Sequence, residues 1–179
     1  MKKSTLTLLF FAITLACFAK TNIESKGVSY IIDEISKTAE VAENKTKQYK
    51  GTVTIPNEIE YYGVKYKVLR IADYAFYNSP ELKEVIIKEG VKVIGNGAFS
   101  NCTELRHIDL PEGIEQICVM AFNGCRKLNE ITCRATVLPL VEDNCFAHFN
   151  AIIYVPSKWL KVYEKHSTFG RFVVEKIED

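Results

Sequence analysis

A surplus of either charge is missing from this chain of 179 residues: 23 lysines and arginines stand against 22 aspartates and glutamates. Nucleic-acid binding draws on a clear basic excess to displace counterions from phosphates, so that class of partner is excluded. Glycine and proline are sparse, at 9 and 5 residues, which removes collagen-like and low-complexity disordered architectures. Pairs of the Cys-x-x-Cys or His-x-x-x-His kind do not occur, so a zinc site has no basis in the sequence. Also lacking are a glycine-rich phosphate loop, a Gly-x-Ser-x-Gly elbow and a paired-carboxylate signature. No enzyme class has a motif to stand on, and no cofactor is expected. What is present is a hydrophobic fraction of 47%, ample for a packed core.

Long apolar runs are absent except at the N-terminus. Lys2 and Lys3 precede the apolar stretch Leu6 to Ala16, small residues follow at Cys17 and Ala19, and the chain turns polar at Lys20. This is the order of a secretory signal peptide over residues 1–19. The stretch is too short to cross about 30 Å of hydrocarbon, and no membrane span is expected once it is removed. A competing reading makes Cys17 the acylated first residue of a lipoprotein. Thr14 stands where such sites carry leucine, which favours plain cleavage after Ala19. The product is then secreted or displayed at the cell surface.

The strongest feature is a repeat, which has to be sought before single motifs. Val68, Ile71, Ala75, Phe76, Leu82, Val85 and Ile87 recur as Val91, Ile94, Ala98, Phe99, Leu105, Ile108 and Leu110. They recur again as Ile114, Ile117, Ala121, Phe122, Leu128, Ile131 and Cys133. Every column steps by 23 residues. A degraded copy follows from Leu138 to Phe146, one residue late. The segment Leu-x-x-Ile-x-Leu ends with apolar residues at alternate positions and reads as a short strand with one buried face. The Ala-Phe pair opens a polar stretch that suits a turn or one helical turn. Gly90 and Gly113 stand where the chain must bend. One copy cannot bury its own apolar edge, whereas stacked copies bury it against each other in a parallel sheet. The phenylalanines then form an aromatic spine.

The run Val91 to Pro111 closely resembles the BspA-type leucine-rich repeat of bacterial surface and secreted proteins. Neighbouring copies depart modestly: Ser79 stands at the position of Cys102, and Ala72 and Cys118 at that of Gly95. The resemblance covers about residues 50–179. It implies a β-rich solenoid of about 3.5 copies over 68–150, preceded by a leader and β cap over 20–67 and closed by a cap over 151–179. In the first cap Val28, Tyr30 and Ile32 alternate, as do Ala39 and Val41, which predicts a hairpin, and Tyr62-Gly63 marks a second turn. In the last, Ser157 is placed to cap a helix carrying Trp159, Leu160 and Tyr163 over the final coil, with a closing strand from Phe172 to Ile177.

The resemblance further implies an interaction or adhesion module whose partner is an extracellular protein, of a host matrix or of a neighbouring cell. The surface for it is the sheet face not buried in the core: Glu84, Ile86, His107, Asp109, Glu130 and Thr132. These residues equally suit a plain solvated face. The competing function is a carbohydrate-binding or hydrolase-associated protein, for which Tyr61, Tyr62 and Tyr77 are the candidates. Cys145 with His148 has the spacing of a nucleophile and base, but Cys145 stands in the alanine column and reads as core. Cys102 and Cys125 occupy equivalent places one coil apart; they read as small buried hydrophobes, with a disulfide the alternative that export permits.

The leader makes a direct prediction. Expressed in a bacterium with its native start, the protein recovered outside the cytoplasm begins at Lys20 by mass spectrometry. A retained Met1 or a lipid-bearing Cys17 contradicts plain secretion.

Overall fold

The computed structural model describes residues 20–178, so the leader and both candidate cleavage sites lie outside the described residues. Each coil carries two strands rather than one. The expected strand of the Leu-x-x-Ile-x-Leu segment appears as β7 (Leu82–Ile87), β9 (His107–Leu110) and β11 (Glu130–Cys133). The Val-x-x-Ile segment adds a second: the end of β6 (Val64–Ile71), then β8 (Val93–Ile94), β10 (Gln116–Ile117) and β12 (Leu140–Val141). A two-residue strand is too short to show alternation, which is why the sequence hides it.

The two strand sets form two sheets. The first has eight strands in the order β1-β2-β3-β6-β8-β10-β12, with β5 (Glu58–Tyr61) paired to β6. Its leading part is a meander of β1 (Thr21–Ser25), β2 (Val28–Asp33) and β3 (Thr38–Val41), the expected hairpin extended by one strand. The second sheet is parallel throughout, with six strands in the order β14-β13-β11-β9-β7-β4, where β4 is Gly51–Ile55, β13 Ile152–Val155 and β14 Val173–Lys176. Tyr62 and Gly63 join β5 to β6 with φ of 48° and 76°, the pair of left-handed residues that a two-residue hairpin turn matching strand twist requires.

Register explains the late copy. Gln116 pairs with Leu140, 24 residues on, so one residue enters between Cys133 and Leu140, and Glu130 pairs with Ile152, 22 residues on, so the following turn is two residues shorter.

Inward residues of both sheets and of the turns share one hydrophobic cluster. At its centre the rings of Phe76, Phe99, Phe122 and Phe146 lie at centroid spacings of 4.9, 5.2 and 5.1 Å, with interplanar angles of 9°, 2° and 8°. The stack is closed at both ends by rings of other orientation. Tyr49 meets Phe76 at 50°, and Phe172 meets Phe146 at 84°. The Tyr49 hydroxyl donates to the Ala42 carbonyl at 3.1 Å and accepts from the Ser29 amide at 3.0 Å, so the end ring is held by the N-terminal meander.

The polar stretches after each Ala-Phe pair form no helix. They are linked turns whose amides alternate in direction. Gly97, Phe99 and Asn101 donate to Val119, Ala121 and Asn123 of the next coil at 3.0, 2.8 and 2.8 Å. Ala98, Ser100 and Cys102 donate back within the coil to Gly95, Gly97 and Phe99. Every amide of this buried run is therefore satisfied, as its withdrawal from water demands. Thiols complete the ladder: Cys102 and Cys125 are free and each donates to the carbonyl of the preceding coil's phenylalanine, Phe76 and Phe99, at 3.1 Å.

The closing cap departs from expectation at its start. Ser157 makes no capping bond; it opens a single 3-10 turn, and α1 (Leu160–Glu164) follows with Trp159 at its N-cap. Tyr163 is buried as expected, donating to the Ala135 carbonyl at 3.0 Å, while Trp159 and Leu160 are partly buried against the core. Gly90 takes φ of +112°, whereas Gly113 needs no left-handed backbone.

Phe99 is fully buried between two parallel rings, so Phe99→Ala should cost about 3–5 kcal/mol in denaturant titration. Lys92, whose exposed ion pair with Glu115 spans 2.6 Å, should change stability by no more than about 0.5 kcal/mol on conversion to alanine. Equal midpoints for the two variants would remove the stacked-coil account.

Candidate functional site

Alternation along the second sheet turns every other side chain outward, and in-register pairing stacks those side chains into two rows. One row runs Thr52, Glu84, His107, Glu130, Ile152, Val173. The other runs Thr54, Ile86, Asp109, Thr132, Tyr154, Glu175. The six residues expected from the sequence occupy the central three strands of these rows. Glu130 is exposed and the other five are half-buried. The flanking strands were missed. Their signal was available in Ile152 and Tyr154, which alternate with the buried Ile153 and Val155.

The face is graded in character. At its centre His107 sits between strands, its Nδ1 3.2 Å from Glu84 Oε1 and its Nε2 3.3 Å from Thr132 Oγ1. Thr52 donates to the other Glu84 oxygen at 3.0 Å. These bonds, from His107 first and Thr52 second, hold the Glu84 carboxyl below the ordinary carboxylate range. Asp109 Oδ2 accepts from Arg134 at 3.0 Å, while its Oδ1 is covered and has no hydrogen-bond partner within the described chain. Toward the C-terminal end the first row becomes apolar through Ile152 and Val173, the latter 58% exposed, while the second passes from Tyr154 to Glu175.

The competing candidates fare differently. Cys145 is buried and its thiol is pushed up to about 12 by that burial, so it is not a nucleophile near neutral pH. Burial likewise raises the Cys102 thiol to about 12 and lifts Cys125 further. Tyr61 and Tyr62 pair edge to face at 4.4 Å on the β5–β6 hairpin. Tyr77 belongs elsewhere: its ring partner is Tyr74, on the turns of the first coil. Among the described residues no group of three or more histidines, cysteines or acids is placed to hold a metal ion. No described helix is long and apolar enough to cross a membrane.

Two sheets stacked coil on coil at a 23-residue step, with an inward phenylalanine in each coil, define a leucine-rich-repeat solenoid. The chain belongs to the BspA-type leucine-rich repeat family, whose model matches residues 69–168 in six copies. Counting whole 23-residue coils had yielded about 3.5. The match runs on through β13 and α1, which add to the last coil.

Solved structures agree in fold. A leucine-rich repeat protein from Bacteroides capillosus aligns over 76% of this chain and 99% of its own, at 21% identity and a TM-score of 0.65. One from Bacteroides ovatus aligns over 89% of this chain and 41% of its own, at 21% identity and a TM-score of 0.57. A leucine-rich cell surface protein from Faecalibacterium prausnitzii aligns over 76% of this chain and 45% of its own, at 19% identity and a TM-score of 0.54. This chain thus spans less than half the length of the last two. No curated protein matches the sequence.

The Glu84 site makes a pH prediction. Its folded value lies below the unfolded one, so its contribution to stability is complete above the ordinary carboxylate range and is lost as pH falls through the folded value. In His107→Ala the Glu84 carboxyl should titrate closer to an unperturbed glutamate, read by carboxyl-carbon NMR. An unchanged titration contradicts the assignment of His107 as the main cause.

Proposed function

We propose that this protein acts outside the cytoplasm as a protein-binding module, with the partner docking on the outward face of the second sheet. The observation that carries this reading is the face itself: two side-chain rows crossing six strands, polar at the centre and with one row apolar at one end. Strands about 4.8 Å apart make it about 24 Å long, the scale of a small protein–protein interface. Tyr154 supplies the kind of aromatic anchor on which interface energy concentrates. Mixed charge around it favours a protein over a lipid or nucleic-acid surface.

The secretory pattern of residues 1–19 and the description of the similar Faecalibacterium prausnitzii chain as a cell surface protein support placement at the cell exterior. There the module serves adhesion, toward host matrix or neighbouring-cell proteins. Binding rather than catalysis is its role, with Glu84, Ile86, His107, Asp109, Glu130 and Thr132 as contact residues.

The test is binding of the chain from Lys20 onward to immobilised purified matrix and bacterial surface proteins. Tyr154→Ala and Glu130→Lys should each weaken the interaction about tenfold or more with little change in thermal melting. Deleting residues 91–113 joins Gly90 to Ile114 and leaves Phe76 and Phe122 23 residues apart, so the shortened chain should stay β-rich while losing His107 and Asp109. Undiminished binding by all three variants places the site elsewhere.

A further inference from the structure

The turns between the sheets carry a feature that neither the core nor the sheet face uses. Tyr74 adopts φ of 59°, in a column where the next coils place Gly97 at 56° and Met120 at 57°. Left-handed backbone is unfavourable for a side-chain-bearing residue, and here the repeat itself imposes it, since Asn144 of the following coil also takes 56°. The Tyr74 ring lies directly across Gly97: a Cβ built there would stand 2.7 Å from the ring's Cε1. The ring is thereby seated on the backbone of the next coil and remains 54% exposed. Tyr77, 46% exposed, meets it at 5.8 Å and 89°, so the two rings form an open corner. Neither ring belongs to the hydrophobic core.

Beside this corner the Asp73 carboxylate is paired with Arg70 at 2.6 Å and accepts from Asn96, and the remaining groups are neutral hydrogen-bonding side chains. Asn78 and Asn123 are exposed, and Asn101 is half-exposed on the adjacent coil. Tyr77 and Asn78 also border a hollow of about 260 Å³ that Gln48 and Ser79 help to line. The two charged residues there are Glu43 and Lys47, and Lys47 is paired with Glu24 at 2.7 Å.

From this corner we infer that the turn face holds a carbohydrate-binding site for a neutral glycan, with Tyr74 and Tyr77 as its platform. A pyranose ring offers one face of C–H groups and an edge of hydroxyls. The first packs on an aromatic ring, and the second pairs with planar amides that both donate and accept. An anionic ligand would call for unpaired cations, and a bilayer for a broader apolar patch. The site stands apart from the sheet face and does not depend on a protein partner docking there.

The probes are cellohexaose, chitohexaose and mannohexaose, titrated into the chain from Lys20 onward by calorimetry and by 1H–15N NMR. At least one should bind, with shifts centred on Tyr74, Tyr77, Asn78 and Asn101. Tyr77→Ala should weaken that binding about tenfold, and Tyr77→Phe should retain it. Tyr74→Ala is expected to act in the same way, and Tyr77→Ala carries the test alone if relief of the turn alters folding. Tyr62→Ala, at a residue 89% exposed on the β5–β6 hairpin, should change nothing. The proposal is overturned if none of the three glycans binds, if a proline-rich peptide binds in their place, or if Tyr62→Ala weakens binding as much as Tyr77→Ala.

Discussion

The register of one coil on the next governs this molecule, and the phenylalanine stack is its clearest expression. Rings of Phe76, Phe99, Phe122 and Phe146 lie nearly parallel at about 5 Å because each coil repeats the path of the last. The same repeat distance is that of hydrogen-bonded strands, so ring packing and both sheet ladders are satisfied together. A local change of coil length is absorbed in the turns, as the residue gained before Leu140 and the two lost before Ile152 show. The period is therefore a compromise among three ladders, of which only the aromatic one is conspicuous in the sequence.

Everything outward-facing inherits this register. His107 lies opposite Glu84 because their strands pair residue for residue, and not through any local motif. Charges recur the same way: Lys92 meets Glu115 and Glu104 meets Lys127, each pair one coil apart at 2.6 Å. Such exposed pairs add little stability singly. Their effect is to tie the connecting segments of one coil to those of the next, since all four residues lie outside the strands.

What was legible in the sequence follows from length and periodicity. Strands of four residues or more with a buried alternate face, such as His107 to Leu110, could be read directly. The two-residue strands Val93–Ile94 and Gln116–Ile117 could not, because they exist only through pairing with their neighbours. Ser157 looked like a helix cap, yet the preceding Pro156 and the docking of Tyr163 draw the segment into a 3-10 turn first. The six central face residues were legible because they alternate with repeat columns. Their flanks at Ile152 and Val173 were not, since those strands had been read as closing elements rather than as continuations of the sheet. The Tyr74 corner was hidden for a different reason. Its left-handed column mixes tyrosine, glycine, methionine and asparagine, and no composition rule links those four.

The tilt of Tyr49 and Phe172 against the aromatic stack has a consequence for how such a chain behaves in a crowd. A flat terminal ring would offer a second molecule the same seat it offers the next coil, and copies could add end to end without limit. Turned through 50° and 84° and themselves buried, the end rings leave the stack no flat outer seat. The aromatic stack can thus lengthen by internal duplication between the two rings that close it.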